Sequence, residues 1–137
     1  MNSIHITYLI WLAGGIHTSI VLANIPLPGR LNVRASLAGV PRFIQQIFYV
    51  HWFYIVLIVG MFSVLCFEFA RDLAGASPLG RFLSGFIAGF WALRIVLQLF
   101  YYDPEIRRQN RLLDALYGAA LVLLIAIFTV AAIHPSR

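Results

Sequence analysis

The stretch SPLGRFLSGFIAGFWALRIVLQLFYYDP, residues 77–104, decides the fold. Between Phe82 and Tyr102 it carries one charge, Arg94, among tryptophan, leucine, isoleucine and valine. About 20 helical residues cross a hydrocarbon core of about 30 Å, so this run is long enough to span a bilayer. The apolar residues are continuous and do not alternate. That pattern predicts a helix, which satisfies its own backbone groups in lipid, and not a barrel strand. Ser77-Pro78 reads as N-cap and first helical residue. Asp103-Pro104-Glu105 repeats the device for a following helix that starts near Pro104.

Working outward, three further segments have the same character: Ile4–Ile25, Gln45–Phe69 and Leu113–Ile133, beside Phe82–Tyr102 itself. Of the 137 residues, 61% are hydrophobic and 11% charged, with a mean hydropathy of +0.87, more apolar surface than a water-soluble domain of this size can hide. The expectation is one all-α domain, residues 1–137, a polytopic membrane protein built as a four-transmembrane-helix bundle. Asn24-Ile25-Pro26-Leu27-Pro28-Gly29 stops the first helix, because two prolines and a glycine cannot propagate it. Gly75 is expected to close the second. The tight second and third connections predict antiparallel packing of helices two, three and four. The long first connection, residues 26–43, mixes Arg30, Arg34 and Arg42 with leucine and valine, a composition suited to the membrane interface.

All ten basic residues are arginine. Arg30, Arg34, Arg42, Arg107, Arg108 and Arg111 fall in the first and third connections, and Arg71, Arg81 and Arg137 on the other side. The positive-inside rule therefore predicts both termini outside, in a bacterial cytoplasmic membrane. A signal peptide cleaved after Val21-Leu22-Ala23 is the rival reading of the N-terminal segment, disfavoured by the lack of a basic start. Cys66 is the one cysteine, which leaves no disulfide within the chain.

Depth can be counted at 1.5 Å per helical residue. His17 falls about 12 Å before the end of the first helix, His51 about 8 to 12 Å into the second, and Arg94 about 13 Å before Asp103. Three polar residues from three helices thus share one level in the expected cytoplasmic half. Gln98 lies one turn from Arg94 on the same face, Tyr101 and Tyr102 a turn further, and Asp114 and Tyr117 begin the fourth helix. A guanidinium keeps its charge at any accessible pH, so a buried Arg94 calls for a carboxylate such as Asp114 or an anionic ligand group.

Three readings of this level compete. In the sharpest, His17 and His51 act as metal ligands to a b-type haem or another tetrapyrrole, with Arg94 near the propionates and Ala13-Gly14 leaving space for the macrocycle. In a softer one, His51, Arg94, Gln98 and Tyr101 supply hydrogen bonds to a quinone or lipid headgroup, and no metal is needed. In the plain one, His51 belongs to an interfacial aromatic belt, His17 is packing glue, and Arg94 pairs with Asp114 or snorkels. On the opposite side, His5, His134, Glu68 and Asp72 share a surface, but their spacing follows no metal motif.

Small residues form two ridges, Gly85-x-x-x-Gly89 and Gly15-Ser19-Ala23, which predict helix–helix contacts with other membrane subunits or a second copy. Membrane lipids are the expected partners of the arginine-rich loops, and nothing supports nucleic-acid binding. The four-helix size and histidine pair resemble the membrane anchors of respiratory dehydrogenases, although no motif assigns the chain to a family. No nucleophile–base pair or phosphate loop is present, so an enzyme acting alone is disfavoured. The expected role is a small subunit or accessory of a larger membrane assembly, related to electron transfer, with a stand-alone bundle that binds or transports a small ligand as the alternative.

Overall fold

The computed structural model describes residues 3–101 and 111–134. Four helices, α1 (Ser3–Asn24), α4 (Arg42–Glu68), α6 (Pro78–Phe100) and α7 (Arg111–Ile133), are long and apolar enough to cross a membrane. Short helices α2 (Leu27–Arg30), α3 (Val33–Ser36) and α5 (Ala70–Leu73) punctuate the connections, and the described residues include no strand. The protein is an all-α four-helix bundle of membrane character. The expected helix start at Asp103-Pro104-Glu105, along with Tyr102, Arg107, Arg108 and Arg137, lies outside the described residues.

The ends of the long helices follow local chemistry. Ser77 has an extended backbone and its Oγ accepts the Gly80 N–H at 3.0 Å, while Pro78 takes the first helical position. The second membrane helix stops at Glu68, earlier than Gly75, because Phe69 leaves the helical conformation and α5 begins a new turn. The first connection is partly ordered by α2 and α3. Between them Asn32 stands at φ 52°, the left-handed region that asparagine tolerates better than most residues.

One stripe of α1, Ile6, Ile10, Ala13, His17 and Ile20, recurs every three or four residues and is buried. It meets Val59, Phe62 and Cys66 of α4, Ile87 and Trp91 of α6, and Leu121, Leu124 and Phe128 of α7 in one core. Helix α1 packs on α4, α6 packs on α7, and contact between α1 and α7 joins the two pairs. At the first seam, a Cβ added to Gly14 would come within 3.0 Å of both Cys66 Cβ and the Phe67 ring, so the backbones are close. The Ser63 hydroxyl reaches Gly14 O at 3.1 Å and Thr18 Oγ1 at 2.7 Å across this seam. Such hydroxyl bonds hold membrane helices together where lipid offers no hydrophobic drive.

Helices α4 and α6 depart from expectation. They are neighbours in sequence, yet their backbones hardly touch. The reason lies in their connection. Helix α5 packs against α1 and buries Ala70 and Leu73, the Ser84 hydroxyl donates to Leu73 O at 3.1 Å, and Gly80 is pressed against the Asp72 carbonyl. The chain is thus carried across the end of α1 before α6 begins. Only long side chains then bridge α4 to α6: Phe62 and Phe90 meet edge to face with centroids 5.2 Å apart.

Candidate functional site

Below the Phe62–Phe90 bridge the gap between α4 and α6 opens into a cavity of about 310 Å³. Ile20, Val21 and Asn24 of α1, Val56 and Val59 of α4, and Tyr117 of α7 contribute to its wall. The charged and polar side chains brought here are Arg94, His51 and Asn24, together with the indoles of Trp52 and Trp91. Each of the four long helices contributes to this wall. The volume falls in the range of small-molecule sites, and an apolar wall with a few convergent polar groups is what such sites present.

The hydrogen-bond inventory shows what this wall offers. A carbonyl only accepts, so the His51 Nδ1, 2.8 Å from Ile47 O, carries a proton, and in the neutral ring Nε2 is then an acceptor. Asn24 spends one amide N–H on Ile20 O at 2.8 Å, leaving its second N–H and its carbonyl. The Arg94 guanidinium lies over the Tyr117 ring, 5.7 Å from its centroid, and brings only donors. The Trp52 Nε1–H is buried and has no acceptor among the described residues. The cavity therefore combines strong donors with acceptors, inside an apolar envelope.

His17 is placed elsewhere. It does not line the cavity and is fully buried. Its Nδ1–H donates to Ala13 O at 2.7 Å, and its Nε2 accepts the Trp91 indole N–H at 3.0 Å. Both ring nitrogens are thereby engaged and the neutral tautomer is fixed. Phe62, Trp91 and Phe128 surround the ring with centroids 5.5 to 5.9 Å away, so all three other long helices meet at this imidazole. The bis-histidine tetrapyrrole expectation does not fit this geometry. A metal bound at His17 Nε2 would displace Trp91 and strand its buried N–H.

The other predicted residues divide as follows. Gln98 is buried and its Nε2 donates to Asp114 Oδ1 at 2.8 Å, tying α6 to α7. Tyr101 is 84% exposed at the end of α6 and joins neither the cavity nor that pair. So the structure brings His51 and Arg94 together at the cavity, sets Gln98 with Asp114 at the adjacent seam, and separates His17 and Tyr101 from both. On the other side His5, Glu68, Asp72 and His134 are all exposed, and no group of three metal-ligating side chains occurs among the described residues.

No family model, curated protein or solved structure matches the chain. The site has to be read from its own chemistry, and there Trp91, Trp52 and Asn24 matter although the expected set omitted them. A signal was available, because an indole N–H in a membrane helix needs an acceptor, and the buried histidine at matching depth is one.

Proposed function

We propose that this chain is a small integral-membrane subunit or accessory protein that holds an amphiphilic ligand, a quinone or a lipid, in the cavity between α1, α4, α6 and α7. The observation that carries the reading is the meeting of Arg94 and His51 on the wall of an otherwise apolar cavity of about 310 Å³. Arg94 presents several guanidinium donors on this wall, and a carbonyl, phosphate or other oxygen-rich head is an acceptor they can meet. A head that accepts from Arg94 and meets His51 Nε2 with a hydroxyl, as a quinol does, uses both kinds of group on this wall.

Membership in a larger assembly is supported by the unused packing surface. Gly15 and Gly89 have open space where a Cβ would stand, and Gly15, Ser19 and Ala23 line a shallow groove between α1 and α7. The arginine asymmetry supports an orientation with both termini outside, the first and third connections in the cytoplasm, and anionic lipids at Arg30, Arg34 and Arg42. The test is purification from native membranes in mild detergent, with organic extraction and mass spectrometry. A stoichiometric quinone or lipid that disappears in Arg94→Leu is the expected result. Extracts of wild type and variant that do not differ would refute the reading.

A further inference from the structure

The placement of the cavity says how it is reached. It lies in the cleft between α4 and α6, the one pair of sequence-adjacent membrane helices whose backbones are apart, and directly below the Phe62–Phe90 bridge. Its rim on α4, Phe48, His51 and Ile55, is exposed, with Ile55 at 56%. Its back wall, Val59 and Trp91, is 2% exposed at each residue. A cleft on the flank between two membrane-crossing helices faces hydrocarbon, so its apolar rim is solvated by lipid chains and not by water.

From this placement we infer that the cavity is filled laterally from the bilayer, and that its occupant is a chain-bearing amphiphile. The apolar chain lies in the α4–α6 cleft and the oxygen-bearing head reaches Arg94. A phospholipid and an isoprenoid quinone share this chemistry, whereas a water-soluble metabolite lacks the chain. The inference rests on the ligand-binding reading above and adds the route of entry and the seat of the apolar chain to it. A water-soluble ligand extracted in place of an amphiphile would sink the route while leaving a binding function in place.

The chain has three tryptophans, so a Trp11→Phe/Trp52→Phe variant carries Trp91 alone. Trp91 is shielded from bulk lipid by the surrounding helices and lines the cavity, which makes it a reporter of chains that enter. The variant is reconstituted in phosphatidylcholine vesicles with plain or chain-brominated lipids, and chains carrying covalent bromine quench indole emission on contact. The expected result is loss of most Trp91 emission in brominated vesicles, with little effect of aqueous iodide. Val56→Phe, which fills the α4 wall, should restore the emission, and an unchanged emission maximum in plain vesicles checks that the bundle still folds. Quenching by iodide but not by brominated chains would overturn the lateral route, and so would a Trp91 that neither quencher reaches. Mass spectrometry of the organic extract separates the two sources, phospholipid or isoprenoid quinone.

Discussion

Arg94 and His17 show how differently two buried polar residues can be used. Arg94 reaches the cavity over Tyr117, and its planar fork of five donors is what distinguishes it from lysine. Arg94→Lys should keep the protein folded in the membrane and still lower ligand occupancy about tenfold, about 1.4 kcal/mol, since an ammonium cannot make the paired bonds. Occupancy is read as ligand per protein in the organic extract. Equal occupancy in both proteins would assign the guanidinium no more than a snorkelling role. His17, in contrast, is an acceptor for Trp91 in the centre of the bundle. His17→Ala should cost about 1–3 kcal/mol in unfolding from mixed micelles, because the indole N–H is left buried and unsatisfied. The Trp91→Phe change should couple to it in a double-mutant cycle, where additive effects would deny the bond any energetic meaning. The same geometry predicts that the reduced protein shows no b-type bands dependent on His17, which an absorption spectrum decides.

Among the elements, the seams differ in how tightly their backbones approach. Gly14→Ala should destabilise the α1–α4 pair by about 1–3 kcal/mol, since the added carbon meets Cys66 Cβ and the Phe67 ring at 3.0 Å. Gly15→Ala, one position on, meets nothing within 4 Å and should change stability by less than about 0.5 kcal/mol in the isolated bundle. If Gly15→Ala instead dissociates a co-purifying subunit, the outward ridge is an assembly surface. Sequence reasoning recognised the ridge Gly15-Ser19-Ala23 but not the seam at Gly14, Thr18 and Ser63. A helical wheel gives the small face of a helix, while the face that meets a partner is set by the rotation of both helices.

For the molecule as a whole, orientation is the first thing to test. A cysteine at Ser36 should be shielded from an impermeant thiol reagent added outside cells, and one at Ala76 should react; Cys66 is buried and stays silent. Reversed labelling would move the cavity to the outer half and exchange the leaflet that supplies its ligand. The sequence by itself determined the class of molecule and its helices, because a span of membrane is a property of length and hydropathy that each segment carries alone. It also determined the Ser77-Pro78 start and the position of each polar residue along its own helix, since both are local or countable along one axis. Only the tertiary structure decided which of those polar residues meet. Depth fixes one coordinate, and rotation about each axis together with the order of helices around the bundle fixes the others. The α5 turn across α1 holds α4 away from α6 and so makes the cavity, while the rotation of α1 sends His17 inward to Trp91 and leaves His51 with Arg94. Those choices arise from packing between segments far apart in the chain, which no single apolar run encodes.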